Sequence, residues 1–157
     1  NEDEVVPLAR EVEYAKGYLT IQKMRYKDKL EFEIDVEPSI LNIPLIKLVL
    51  QPIIENAIYH GLKYKESKGL LQVKGFMKDG NAVLQVIDNG VGMDEETLSH
   101  IYDKHKVNYH SNGVGVYNVQ KRLKLYYGEN YGITYESEKG VGTTATITIP
   151  GIQEESI

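Results

Sequence analysis

An α+β two-layer sandwich, with helices on one face of a mixed sheet, is the fold that three features of this 157-residue chain predict. Apolar residues recur at helical spacing in three separate stretches. Five other stretches alternate apolar with polar residues, or run short and apolar, as strands do. Glycine, proline and asparagine stand between these stretches where turns are needed.

In chain order, Leu8, Val12, Ala15 and Leu19 form one face of a helix over about residues 7–28, with Tyr14, Tyr18 and Ile21 beside it. Leu30, Phe32, Ile34 and Val36 alternate with acidic residues as a half-buried strand, which Pro38 ends. A long apolar helix is predicted over 44–59, kinked at Pro52 and stopped by Gly61. Strands over 70–78 and 82–88 flank Asp79-Gly80-Asn81, a hairpin turn signal. Asp94 caps a short helix to about residue 102. The polar stretch 103–115 reads as a mobile loop whose Lys104, His105, Lys106 and His110 are either solvated or near phosphate. Val116, Val119, Leu123 and Tyr126 mark a helix that Gly128 stops, and strands over 133–137 and 144–150 complete the set.

The chain suits one domain, and 41% apolar residues suffice for a single core. A net charge of −5 argues against duplex DNA or an anionic membrane as the main partner, so no nucleic acid is expected. The absence of cysteine excludes disulfides and thiolate metal sites and fits a cytoplasmic setting. No apolar run approaches the roughly 18 residues of a membrane span. The chain opens at Asn1, not Met, and reads as a piece of a longer protein whose other parts include a membrane anchor.

Four groups of residues carry chemistry. In Glu55-Asn56-Ala57-Ile58-Tyr59-His60-Gly61, helical spacing puts Asn56, Tyr59 and His60 on one face, with Glu55 about 100° round. A neutral amide oxygen such as that of Asn56 suits Mg²⁺ among phosphates, since this cation takes few protein ligands. In Asp88-Asn89-Gly90-Val91-Gly92-Met93, a carboxylate at a strand end can accept from an exocyclic amine while glycines admit a flat ring. Gly113 and Gly115 precede a helix, where backbone N–H groups can meet phosphate oxygens. Gly140-Val141-Gly142-Thr143 lies between the last two strands. Taken singly, these are equally a helix end, a strand exit, a loop and a hairpin.

Their order is far more specific. The sequence resembles the GHKL ATP-binding superfamily of sensor histidine kinases, type II topoisomerase ATPase domains, Hsp90-type chaperones and mismatch-repair ATPases. The four groups match its N box, G1 box, G2 box and last glycine box. Within it the chain is most similar to LytS-type sensor kinases, through Lys16-Gly17-Tyr18-Leu19-Thr20-Ile21-Gln22 with Arg25, Leu50-Gln51-Pro52-Ile53-Ile54-Glu55-Asn56-Ala57, and Asn118-Val119-Gln120-Lys121-Arg122-Leu123.

The resemblance implies a Bergerat-type fold holding ATP and Mg²⁺. It implies that Asp88 binds the adenine amine, Asn56 holds Mg²⁺, and Glu55 assists phosphotransfer. Gly90 and Gly92 would line the base, Gly113 and Gly115 the phosphates, Thr143 the adenine end, and His60 would set a ring against the nucleotide. Residues 1–28 would continue from an acceptor domain, 29–151 would form the ATP-binding domain, and 152–157 a loose tail. The implied partners are a dimerisation domain carrying the acceptor histidine, a response regulator, and a second copy of the full-length protein.

Two positions depart from the pattern. Tyr59 stands where LytS-type relatives commonly carry a phosphate-reaching lysine, and Val116 replaces the usual leucine. None of His60, His100, His105 and His110 sits in the Pro-His-Phe-like setting of an acceptor. Hydrolysing members place a water-activating glutamate four residues before the Asn, and here that slot is Pro52. A hydrolytic clamp is thus disfavoured against the kinase reading, and a degenerate binding module, suggested by Tyr59, is the third.

Overall fold

The computed structural model describes residues 4–103 and 115–152. A short strand β1 (Val5–Pro7) leads into α1 (Leu8–Tyr26), β2 (Leu30–Val36), a second short strand β3 (Pro44–Ile46) and α2 (Leu50–Asn56). The last helix passes without a break into a wider, π-type winding at Ala57–Leu62. A hairpin of β4 (Gly69–Lys78) and β5 (Asn81–Asp88) follows, then α3 (Glu95–Ser99) and α4 (Val116–Tyr127), and a hairpin of β6 (Gly132–Glu138) and β7 (Gly142–Pro150).

The expected two-layer architecture is present. Five strands run in the order β2-β4-β5-β7-β6, with β2 parallel to β4 and every other pair antiparallel. Register decides which side is covered, because the side-chain period in a strand is two. Ile34, Val73, Val86, Ala145 and Tyr135 fall in one row, and Leu71, Asp88, Thr143 and Ser137 in the next. On this inner face α1 packs near β2, α4 near β6 and β7, and α2 with its π-type end lies between them. The outer face carries Gln72, Gln85, Thr144, Thr146 and Thr148, which suit water.

The core joins Leu8, Ala15 and Leu19 of α1 to Leu50, Ile53 and Ile54 of α2 and to Val119 and Leu123 of α4. Burying each such side chain contributes roughly 1.5–3 kcal/mol before entropy is counted.

Three local expectations are corrected. The long helix predicted from residue 44 begins at Leu50, because Pro44 to Ile46 instead pair with Val5 to Pro7 as a small antiparallel ribbon. Pro52 therefore stands in the first turn, where helix N–H groups have no intrahelical acceptor, and it is buried without disturbing a ladder. Gly61 does not stop the helix. The winding widens instead, with Lys63 N donating to Ile58 O five residues back at 2.8 Å. At the end of α4, Tyr126 is exposed and Tyr127 packs against the core in its place.

Other elements follow the sequence closely. Asp79 and Gly80 both take positive φ, as a tight hairpin turn requires. Asp94 Oδ1 accepts from Thr97 N at 2.8 Å and caps α3, which is shorter than predicted and ends at Ser99.

Candidate functional site

Where α2 winds wider, its end leans over the β5 and β7 strand ends and encloses a cavity of about 160 Å³. Asn56, His60 and Gly61 form one wall, Asp88, Gly92 and Thr143 another, and Val86, Ala145 and Ile53 give an apolar floor. Five of the residues singled out from the sequence, Asn56, His60, Asp88, Gly92 and Thr143, thus share one cavity. They come from stretches as much as 87 residues apart, counting from Asn56 to Thr143.

Asp88 is 5% exposed and is the charged group of the site. Its Oδ1 accepts from Gly90 N at 2.8 Å. Burial raises its pKa to about 6, against the backbone hydrogen bonds of Gly90 and Thr143, which pull it down. The carboxylate is mainly ionised at neutral pH, yet short of water, so it is poised to accept from a ligand.

The motifs are joined by backbone hydrogen bonds in series. Val91 N donates to Gly61 O at 3.1 Å, and Gly140 N donates to Val91 O at 2.7 Å. The approach is close. A Cβ on Gly90 would collide with the Gly61 backbone, and one on Gly61 would lie 2.8 Å from Asp88 Oδ1. Gly92 has φ +68, and a Cβ there would strike the Glu138 carbonyl, so close contact and handedness both demand glycine. Asn89 extends the sheet at this edge, its Oδ1 accepting from Leu70 N at 2.7 Å.

Ser137 braces the same corner. Its Oγ accepts from Met93 N at 2.8 Å and shares a 2.7 Å hydrogen bond with Thr143 Oγ1.

Other expected residues stand elsewhere. Gly90 packs under Gly61 and does not line the cavity. Glu55 is half-buried on another side of α2, where Gln51 Nε2 donates to its Oε1 at 3.2 Å. Its charge is felt by Tyr18 of α1, whose hydroxyl pKa is raised by burial first and then by Tyr59 and Glu55. Gly115 caps α4, and a Cβ on it would meet nothing within 4 Å among the described residues. Gly113, and with it Lys104, His105, Lys106, His110 and the expected mobile loop, lie outside the described residues.

Sequence reasoning missed Tyr135, Thr97 and Ile101, which also line the cavity. Tyr135 projects inward from β6 opposite Ala145, and Tyr102 meets its ring edge-on at 6.0 Å and 68°. Its alternation with Ile133 and Ser137 was the available signal.

It also missed the support of α2. Glu11 is 5% exposed, and its Oε1 accepts from Val49 N at 2.8 Å and Leu50 N at 3.1 Å. A carboxylate from α1 thus caps the α2 N-terminus across space, favoured by the positive end of the helix dipole. Arg122 of α4 donates to Lys47 O and Leu48 O, holding the preceding loop. No group of three or more His, Asp or Glu able to hold a metal ion occurs among the described residues.

Comparison with known proteins bears on the same residues. The family model described as histidine kinase-, DNA gyrase B- and HSP90-like ATPase matches residues 42–153. The sensor histidine kinase YesM of Bacillus subtilis is 31% identical over 147 residues, covering 94% of this chain and 24% of that protein. The sensor protein LytS of Oceanobacillus iheyensis is 35% identical over 130 residues, covering 82% of this chain and 22% of that protein. The chain therefore spans about a quarter of the length of these relatives. Among solved structures, the catalytic domain of histidine kinase ThkA superposes with a TM-score of 0.70 at 14% identity, covering 94% of this chain and 95% of that one. ThkA in complex with the response regulator TrrA gives 0.69 at 17% identity, covering 95% of this chain and 42% of that one. These two likenesses are of fold.

Proposed function

The chain belongs to the histidine kinase-, DNA gyrase B- and HSP90-like ATPase family, and from that premise we propose that it is the ATP-binding catalytic domain of a two-component sensor histidine kinase. It presents the γ-phosphate of ATP to a histidine on a dimerisation domain outside these 157 residues. The observation that carries the reading is Asp88, a buried carboxylate lining the same cavity as Asn56.

Asp88 accepts a hydrogen bond from the adenine amine, with Thr143 and Gly92 beside it in the cavity lining. His60, on the α2 side of the cavity, is placed to lie against the nucleotide. Asn56 offers one neutral oxygen to Mg²⁺, and the lack of a multi-carboxylate cage among the described residues suits a cation held mainly by phosphates and water. Bound there, Mg²⁺ neutralises phosphate charge, which is the main need of phosphoryl transfer. Gly115, with nothing within 4 Å of its Cβ position among the described residues, stands at the start of α4, where backbone N–H groups can meet phosphate oxygens, and Gly113 is assigned the same role from the sequence.

Glu55 faces away from the nucleotide wall toward α1, the side from which an acceptor histidine domain, continuous with residues 1–28, would approach. There it orients the imidazole or takes its proton. Pro52, buried one turn before Asn56, has no group to activate water. This favours transfer over hydrolysis.

The relatives' designation as sensors supports a parent protein anchored in the cell membrane, with this domain in the cytoplasm. A homodimer as the working form is proposed from the family resemblance alone. No helix among the described residues is long and apolar enough to cross a membrane. The ThkA complex supports a response regulator as the next recipient of phosphate.

Calorimetry with ATP and GTP tests the reading. The chain should bind ATP with Mg²⁺ in the micromolar-to-millimolar range, roughly −4 to −8 kcal/mol. Asp88→Asn should cost on the order of 1.5–3 kcal/mol for ATP and much less for GTP, which lacks the amine. No binding at millimolar ATP, or equal losses for both nucleotides, would overturn it.

A further inference from the structure

Tyr135 is a polar group that the proposed chemistry does not use. Its hydroxyl is shielded from solvent and makes no hydrogen bond of normal geometry among the described residues. A buried hydroxyl left so costs about 1–3 kcal/mol, so its retention calls for a partner. The ring cannot turn away easily. Tyr102 packs edge-on against it at 6.0 Å, and β6 holds its backbone opposite Ala145. Tyr102 donates its hydroxyl hydrogen to Ile133 O at 2.8 Å and makes no hydrogen bond with Tyr135.

Tyr135 and Asn56 line the same cavity. Burial raises the hydroxyl's pKa first of all, and the Asn56 side chain is near enough to act on it in the opposite direction. An asparagine amide has one acceptor end and one donor end, and either can be turned toward a ligand. A cation needs the oxygen.

We propose that Tyr135 is a positioning residue: its hydroxyl accepts from Nδ2 of Asn56 and holds Oδ1 turned toward the cation that accompanies the nucleotide phosphates. The inference rests on the nucleotide-binding reading above. It assigns to this chain an outer partner of the kind that orients metal ligands elsewhere and is worth about 10–100-fold in metal affinity. With Asn56 as a single ligand among phosphates and water, the lower end applies. The converse arrangement, with the hydroxyl donating to Oδ1, would compete with the cation and predicts the opposite sign.

The test is titration of ADP and of a non-hydrolysable ATP analogue, in EDTA and in excess Mg²⁺, for the wild-type chain and Tyr135→Phe. The substitution keeps the ring and its contact with Tyr102, and a thermal melt checks that the fold is intact. The factor by which Mg²⁺ strengthens binding should fall about tenfold in Tyr135→Phe, with affinity in EDTA unchanged. In an Asn56→Ala background the same substitution should change the Mg²⁺ factor no further. An equal loss with and without Mg²⁺ would make Tyr135 a direct nucleotide contact and overturn the inference. So would an unchanged or increased Mg²⁺ factor. A wild-type chain that binds no nucleotide in either condition removes the nucleotide reading itself, and the inference with it.

Discussion

The two ends of α2 are built on opposite terms. At its N-terminal end polar groups are paired off inside the protein: Glu11 reaches across from α1 to the N–H groups of Val49 and Leu50, and Arg122 reaches from α4 to the carbonyls of Lys47 and Leu48. At its C-terminal end the winding loosens, Gly61 gives way to Asp88, and a carboxylate and a tyrosine hydroxyl are buried with fewer bonds than they can make. One end is closed to serve the fold, and the other is held ready for a ligand. Deletions at the first should therefore cost stability, while at the second they should relieve the free domain and impair binding.

The largest effect should come from Glu11→Ala. It strands two buried N–H groups and opens a cavity, for about 3–4 kcal/mol of lost stability in urea unfolding at pH 7. Glu11→Gln, which keeps an acceptor, should lose about half as much. A loss under about 1 kcal/mol for alanine would show that the cap is ornamental and the contrast false.

Asp88→Asn should act with the opposite sign on the free protein. Because burial raises the folded pKa of Asp88 to about 6 from 3.8, its protonated form is favoured by folding. Its contribution to stability is greatest below pH 3.8 and is lost as pH rises through about 6. At pH 7.5 the asparagine variant should be more stable by about 2 kcal/mol, an advantage that shrinks between pH 6 and 4. The ATP affinity of the wild type should fall over the same window as the carboxylate protonates. Equal stability of the two proteins at pH 7.5, or a flat binding profile from pH 7.5 to 5, would show that Asp88 carries no buried charge for a ligand to use.

Gly61→Ala sits between these cases. The added methyl would press on Asp88 Oδ1, offsetting the roughly 1 kcal/mol that alanine gains over glycine in a helix. Stability should change by about 1 kcal/mol or less, with at least a tenfold loss of ATP affinity. Unchanged affinity would mean that the close approach of Gly61 serves the fold alone. The smallest effect is expected at Pro52→Ala, below about 1 kcal/mol, since no intrahelical acceptor awaits an N–H in the first turn. A larger loss would show that the rigidity of Pro52 itself holds the start of α2.

The contrast also explains what could be read in advance. The five main strands, α1 and α4 follow from local rules of period two and 3.6, and so does the turn at Asp79 and Gly80. The cavity residues Asn56, Asp88, Gly92 and Thr143 could be singled out in advance because each belongs to a short motif whose spacing is local. Glu11 and Tyr135 escaped notice for a different reason. An exposed glutamate on a helix and a tyrosine in a strand look the same as these two until the fold brings distant residues beside them: Val49, 38 residues from Glu11, and the cavity that Tyr135 lines with Asn56, 79 residues away.

The sequence by itself determined the fold class, the inner and outer faces of the sheet, and the membership of one ATP-binding family, since periodicity and motif order are properties of neighbouring residues. Only the tertiary structure decided where α2 begins, how closely Gly61 approaches Asp88, and which buried groups stay unpaired. The residues before Leu50 are apolar enough for either state, and pairing with Val5 to Pro7 made them a strand. Gly61 answers to Asp88, a residue 27 positions on, and not to its own helix. Close approach between distant segments has no local period, and so it leaves no mark on the sequence until the chain has folded.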